Sequence, residues 1–413
     1  MPSFAAFLGH QPHISIAEIA AVLPDFSLEK ATKDVAIFQT GYELNAHFID
    51  LLGGTMVIAR QITDAGVELK DIPQLLSNEV QGGKRSKVTF SLRAAGLPPR
   101  QVHDLYRACK QYLKKKGQPS RYVGNEHKPA MPIVLHENDM IEGKRGCEIA
   151  IIADQETGDL WIGRTVAAQD VDAYTKRDME KPVRDTGVGL LPPKLAQILL
   201  NFGLWAAQRE SKPPKTKKFS LPVIAVFDPF CGTGVIPMEC VLRGWPVLAS
   251  DLMQKAVNGC EKNLEWLRKE EKIAKKDVLS EVWKQDAKKP FTLKKLPDAV
   301  VTETTLGPSL LSRPPLKEVQ KMRTENDRLQ VEFLRNAAAT LPGVPLVCTL
   351  PVWYTSKGPE QLKAVWQEAE KLGYKPVLPV SAIPETTGRN SLLYRRPNQM
   401  VGREIVIWMP QSK

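Results

Sequence analysis

VIAVFDPFCGTG (Val223–Gly234) decides the reading of this sequence, together with PVLASD (Pro246–Asp251) twelve residues further on. A buried apolar strand, VIAVF, turns at small residues directly into a helical stretch, and glycines at such a turn let the backbone approach a ligand closely. The spacing is not the GxGxxG of a dinucleotide fold, because Pro237 stands where the third glycine belongs, and no GK[ST] follows as in a phosphate loop. Asp251 ends the second strand, where an acid can accept hydrogen bonds from both ribose hydroxyls of an adenosine. Gln285-Asp286-Ala287 follows a helix and a third strand, in position to meet an adenine edge. A tight turn with an exposed aspartate in any α/β fold is the plainer account of each piece alone. The combination favours a nucleoside-type ligand.

Working outward, strands and helices alternate across the last 200 or so residues. Strands are expected at Val223–Phe227, Pro246–Ala249, Ala299–Thr302, Leu346–Leu350 and Glu404–Trp408. Helices are expected at Val235–Arg243, Lys255–Lys272, Asn326–Thr340 and Pro359–Lys371, with a further helix in PPKLAQILLNFGLWAAQ before the first strand. Such alternation means an open, mainly parallel sheet covered on both faces. Two smaller α+β stretches precede it. The first has strands at Phe4–Leu8, Val35–Gln39 and Thr55–Arg60, and helices from Ser15 to Leu23 and from Leu44 to Leu52. The second has strands at Lys87–Leu92, Pro132–Leu135, Gly146–Ala153 and Leu160–Val166, and a helix over Pro98–Lys116. The domain reading is 1–83, 84–175, a charged linker 176–190, and 191–413.

The whole chain has 413 residues, 43% hydrophobic and 25% charged, which excludes a disordered chain, a fibre and a disulfide-rich miniprotein. No apolar run is long enough for a transmembrane helix, and the first residues lack a basic n-region. The six cysteines form no CxxC or Cys/His pairing, so reduced thiols without metal are expected. All six histidines lie at or before His136, so chemistry in the last domain uses no histidine base.

The net charge of +11 is unevenly spread. Residues 84–128 carry 12 basic and 2 acidic side chains, while 1–83 carry 4 and 10, and 129–184 carry 7 and 11. A basic block between acidic neighbours suits a polyanion, although a solvated basic face is the ordinary fate of such stretches. Lys114, Lys115, Lys116 and Arg121 are the candidate phosphate contacts, with Tyr122 beside them to stack a base. Arg395 and Arg396 are a second pair. Lys212–Lys218 reads as a surface loop. Cys231 reads as a space-filling residue.

DPFCGTG followed by SD resembles the S-adenosylmethionine (SAM) motifs of class I methyltransferases. Several further stretches resemble the THUMP-containing tRNA guanosine-10 2-amino methyltransferases of bacteria and archaea. They are FLGHQPHISIAEIAAVL, LLGGTMVIAR, WIGRTVAAQDVDAYTKRDMEKPVRD, LPPKLAQILLNFG and YRRPNQMVGREIVIW, and they span nearly the whole chain. The resemblance implies a Rossmann-like methyltransferase domain over 191–413. It implies a ferredoxin-like N-terminal domain and a THUMP-like RNA-binding domain before it. It implies SAM held by Asp228, Phe230, Cys231, Gly232, Thr233, Gly234, Asp251, Leu252, Asp286 and Ala287, and tRNA as partner of a cytoplasmic monomer with no membrane role.

The chain departs from that family after the fourth strand. Relatives carry an Asp-Pro-Pro-Tyr type motif, and this chain has Glu303-Thr304-Thr305-Leu306. The acid is kept one methylene longer, and the prolines and the stacking aromatic are gone. Glu303 is the candidate catalytic residue, accepting from an exocyclic amine, with Phe230, Trp353 or Tyr354 as replacement stacking partners. Two rivals stay open, a DNA amino-methyltransferase and a non-catalytic SAM- and RNA-binding protein.

Overall fold

The computed structural model describes residues 1–63, 66–80, 87–143, 146–185, 190–209, 219–308, 310, 312–380, 389–396 and 399–411. The expected boundary at 83/84 and the Lys212–Lys218 run lie outside the described residues. The first part of the chain runs β1 (Ser3–Leu8), α1 (Pro12–Val22), β2 (Ser27–Ala31), β3 (Val35–Gln39), β4 (Thr55–Gln61), α2 (Ile72–Glu79), β5 (Val88–Ala95), α3 (Pro99–Lys115), β6 (Ser120–Tyr122), α4 (Pro132–Glu137), β7 (Gly146–Ala153), β8 (Leu160–Ala168) and α5 (Val171–Thr175). The remainder runs α6 (Pro193–Gln208), β9 (Val226–Asp228), α7 (Val235–Leu242), β10 (Val247–Asp251), α8 (Gln254–Glu270), β11 (Ser280–Lys284), β12 (Ala299–Glu303), α9 (Leu316–Thr340), β13 (Leu346–Thr355), β14 (Gly358–Gln361), α10 (Ala364–Lys371), β15 (Tyr374–Pro376), β16 (Ser391–Tyr394) and β17 (Val401–Pro410). Two compact units result. The first holds Met1–Pro12 and Asp25–Ala173, the second His13–Pro24 and, Phe219 apart, the described residues from Tyr174 on.

The first unit is built on an eight-stranded sheet in the order β2-β3-β1-β4-β8-β7-β5-β6. The segments read as 1–83 and 84–175 give four strands each to this one sheet, joined where β4 pairs antiparallel with β8. GCEIAIIA of β7 shows why the sheet is covered on both faces. Ile149 and Ile151 enter the core beneath α2 and α3, while Ala150 and Ile152 enter the opposite core with Leu135 of α4. Pro132–Leu135 is a helix, not the expected strand. Proline suits a first helical turn, and a four-residue apolar run cannot by periodicity tell strand from helix. The edge strands β2 and β6 were not anticipated, being short and largely polar.

The second unit carries the sheet β11-β10-β9-β12-β13-β17-β15, with β14 pairing β13 and β16 pairing β17. Strands β9 to β13 are parallel, and β17 runs antiparallel between β13 and β15. The chain order reverses between β9 and β12, so the carboxyl ends of these two strands flank the crevice where open α/β sheets bind ligands. Alternate residues feed two cores. Ala299 and Val301 of β12 pack with α6, α7 and α8, and Val300 packs with α9 and α10. Each fully buried aliphatic side chain of this kind stabilises by roughly 1.5–3 kcal/mol.

Four local expectations change here. Helix α1 belongs to this unit, with Ile14 and Ala17 in its core and Glu18 accepting from Asn201 Nδ2 at 2.7 Å. The described part of 176–190 is packed and not a free linker: Lys176–Glu180 is helical, and Arg177 pairs with buried Glu239 at 2.9 Å. Pro359 lies in β14, paired with Tyr354, and the helix expected from it begins at Ala364; a proline fits a strand lying at the edge of a sheet. Helix α9 also starts earlier than expected, at Leu316.

Candidate active site

Buried Val226 and Phe227 of β9 fix Asp228 at the strand's end, and the chain then turns through Cys231-Gly-Thr-Gly234 into α7. Gly234 caps α7 with φ +89, and a Cβ there would lie 2.5 Å from Cys260 Sγ. The position therefore demands glycine twice over, by conformation and by space. Asn263, wholly buried in α8, braces the turn: its amide donates to Thr233 O at 2.8 Å and Val183 O at 2.9 Å, and its Oδ1 accepts from Val183 N.

A cleft opens at this turn. Asp228, Phe230, Cys231, Gly232, Thr233 and Glu303 all line it, so six of the candidate residues are brought together. Val183, Asp185, Leu190, Leu191 and Lys255 line it too, and Lys255 Nζ lies 3.0 Å from Asp185 Oδ2. The remaining candidates are not among the lining residues. Asp251 lies next to the cleft, its carboxylate accepting from Gly232 N at 3.0 Å and Met253 N at 2.9 Å. Leu252 is exposed beyond it. Asp286 accepts from Lys288 N at 3.0 Å. Ala287 is buried in the apolar core, with its carbonyl held by Asn336 Nδ2 at 2.8 Å.

Two carboxylates dominate the cleft's electrostatics. Burial pushes the Asp228 carboxyl up to about 7, against the hydrogen bonds it accepts from Thr302 and Phe230 N, and nearby Asp251 and Glu303 push the same way. Burial also raises Glu303 above the usual carboxylate range, opposed by Arg403, whose Nε donates to Glu303 Oε1 at 2.5 Å. Arg403 was missed in the sequence. Its only signal is that it and Glu404 are the two charged residues in the otherwise apolar strand VGREIVIW. The Cys231 thiol, hydrogen-bonded to Cys260 and buried, is held well above the ordinary thiol range, which disfavours a nucleophilic role.

Phe230 is the stacking candidate that reaches the cleft, with its ring edge-on to Phe333 at 5.1 Å. Trp353 is fully buried, and Tyr354 lies under the Arg395 guanidinium at 3.6 Å. Arg396 is tied to Tyr394 Oη at 3.1 Å. In the first unit, Lys114 and Lys115 end α3 and Lys116 caps it, all exposed, and Arg121 is exposed on β6. Tyr122 is not free to receive a base, because its ring stacks on Tyr106 at 4.6 Å and packs against Phe90.

With this geometry in view, comparison with solved structures is informative about fold. TrmN from Thermus thermophilus superposes at a TM-score of 0.52 with 14% identity, covering 100% of both chains. The chain has the fold of a class I methyltransferase. A Clostridium difficile 630 protein described as a possible methylase follows at TM-score 0.46 and 11% identity, covering 100% of this chain and 98% of that one. A Listeria monocytogenes protein described as a predicted N6-adenine-specific DNA methylase gives 0.45 and 8%, covering 99% and 96%. These last two lie below the similarity at which a likeness bears on anything further. No family model matches the chain, and no curated protein matches it.

Proposed function

We propose that the chain is a SAM-dependent RNA methyltransferase acting on the exocyclic 2-amino group of a guanosine in tRNA. The observation that carries this reading is the pairing of Asp228 and Glu303 at the carboxyl ends of β9 and β12, either side of the point where strand order reverses, with a glycine turn leading into α7. The residues fit the cofactor. Two largely buried carboxylates suit a cationic sulfonium, Gly232 at φ +50 and Gly234 at φ +89 keep the turn free of side chains, and Asp251 is an acid at the end of the second strand. When bound, SAM supplies a methyl group to the amine lone pair while the C–S electron pair stays on sulfur and one amine proton leaves to solvent. The protein's part is positioning. Glu303 accepts a hydrogen bond from the amine and so turns the nitrogen lone pair toward the methyl. Phe230 supplies an aromatic face at the cleft.

The resemblance to THUMP-containing tRNA methyltransferases supports tRNA as substrate, and the exposed lysines of α3 suit its phosphates. The same reading has the chain act as a monomer in the cytoplasm. Among the described residues no helix is long and apolar enough to cross a membrane. A second reading has one specific observation behind it: the Glu303 carboxylate is already bound by Arg403, and the Pro-Pro-aromatic part of the motif is absent, as in a SAM- and RNA-binding protein without catalysis.

Labelled SAM, total unmodified tRNA and duplex DNA decide between them. Transfer to tRNA, with 2-methylguanosine among the digested nucleosides and at least a ~10²-fold loss in Glu303→Ala, is the expected result. Transfer to duplex DNA alone establishes the DNA amino-methyltransferase. Binding of SAM and tRNA without transfer establishes the non-catalytic protein.

A further inference from the structure

Glu303 and Arg403 are 100 residues apart in sequence and meet across β13, which lies between their strands β12 and β17. Both side chains are largely withdrawn from water, at 12% and 3% exposure. A buried guanidinium is tolerated only where its charge and donors are met. Here Nε donates to Glu303 Oε1 at 2.5 Å, Nη2 donates to Leu190 O at 3.3 Å, and the guanidinium lies 5.8 Å from the Tyr394 ring centre. Three anchors on three segments leave the arginine little freedom. Among the described residues Glu303 Oε2 has no hydrogen-bond partner, and Glu303 lines the cleft.

We infer that Arg403 is a positioning residue of the acceptor site, fixing Glu303 through Oε1 so that Oε2 is left to accept the hydrogen bond from the substrate amine. The inference deepens the methyl-transfer reading and rests on it. The extra methylene of glutamate, relative to the aspartate of the family motif, is then the length that reaches Arg403. Among the described residues, the other charged groups lining the cleft are Asp228 on β9, Lys255 on α8 and Asp185, which holds Lys255, with Asp251 of β10 beside it. Arg403 is the cation that touches Glu303, so its removal leaves a largely buried carboxylate with Asp228 beside it and without its counter-ion. That carboxylate then holds its proton to higher pH and accepts poorly.

The test compares wild type with Arg403→Gln, Arg403→Lys and the neutral pair Glu303→Gln/Arg403→Gln. Carbon-13 NMR of protein labelled at glutamate carboxyls follows Glu303 as the signal lost in Glu303→Gln. The expected result is a titration midpoint about one pH unit or more higher in Arg403→Gln, and near wild type in Arg403→Lys. An unmoved midpoint overturns the inference. Single-turnover methyl transfer to total tRNA is the second arm. Arg403→Gln is expected to lose about tenfold for each unit by which its midpoint lies above the assay pH and to recover as pH rises toward 9, while Arg403→Lys transfers near the wild-type rate at all pH values. A loss equal at every pH means that the arginine is merely structural and overturns the inference. Should Arg403→Gln fail to fold, Arg403→Lys and the double variant, whose two amides can still pair, carry the comparison: a double variant as active as wild type overturns it. If wild type transfers nothing while the midpoint moves as expected, the methyl-transfer reading fails and the Arg403–Glu303 coupling stands.

Discussion

The hydroxyl of Thr302 donates to Asp228 Oδ1 at 2.6 Å, bridging the ends of the paired strands β12 and β9. Among the described residues Thr302 is thus the one side-chain donor on a carboxyl whose burial pushes it up to about 7. A cationic ligand in the cleft favours the ionised form, so binding below pH 7 must expel a proton. SAM affinity should therefore rise with pH up to about 7 and flatten above it, by up to tenfold per unit. The product S-adenosylhomocysteine, which lacks the sulfonium charge, should show a weaker slope. Asp228→Asn should remove the slope, and Thr302→Val should move its midpoint higher. Calorimetry over pH 5.5–8.5 checks this, and a flat profile in wild type means that Asp228 does not sense the ligand's charge.

The same group has a stability signature of definite sign. Its folded value lies above the ordinary 3.8, so its contribution is full below about pH 4 and is lost as pH rises through 7. Wild type should lose stability over that window relative to Asp228→Asn, by on the order of 4 kcal/mol at most. Urea melts at pH 4.5, 6 and 7.5 measure the difference; equal slopes in the two proteins refute it.

Asp251 accepts from the backbone of Gly232 and of Met253, so it shapes the turn as well as offering lone pairs to a ribose. Asp251→Ala should weaken SAM binding by about 1.5–3 kcal/mol, the scale of a lost charge-assisted hydrogen bond. Unchanged affinity by calorimetry removes Asp251 from the cofactor site.

If the lysines at the end of α3 meet tRNA phosphates, alanine at Lys114, Lys115 and Lys116 should lower the log–log salt slope of tRNA binding. Each lost contact is worth roughly 0.7–0.9 of slope. SAM affinity should not change. A slope identical to wild type marks these lysines as solvated.

Gly234→Ala should destabilise the second unit by about 2–4 kcal/mol, from a strained positive φ and from a Cβ 2.5 Å from Cys260 Sγ. Cys260→Ala should relieve part of this by removing the sulfur, but not the backbone strain. A Gly234→Ala protein that melts like wild type contradicts the local geometry.

The turn at Asp228–Gly234 and the acid ending β12 are legible in sequence because each follows an apolar strand whose end is marked by polar or small residues. Arg403 is not legible, because its partner lies 100 residues away and only strand order brings them together. The same limit hides the β4–β8 pairing that merges two segments into one sheet. Pro132–Leu135 and Pro359 fail for a local reason. Proline is compatible both with a helix start and with a strand lying at a sheet edge, so the surrounding contacts decide. Tyr122 looks available in sequence, and its stacking on Tyr106 depends on the parallel pairing of β5 with β6.

The insertion of β17 between β13 and β15 has a kinetic meaning. β15 pairs with β17 and not with β13, so that edge of the sheet cannot assemble until the strand bearing Arg403 has arrived. Closing so long a loop is costly before its contacts form, which makes this a late step in folding. Until then Glu303 stands one strand in from the growing edge at β13 and lacks the Arg403 guanidinium, so the pairing of β17 with β13 and the formation of this ion pair are one event.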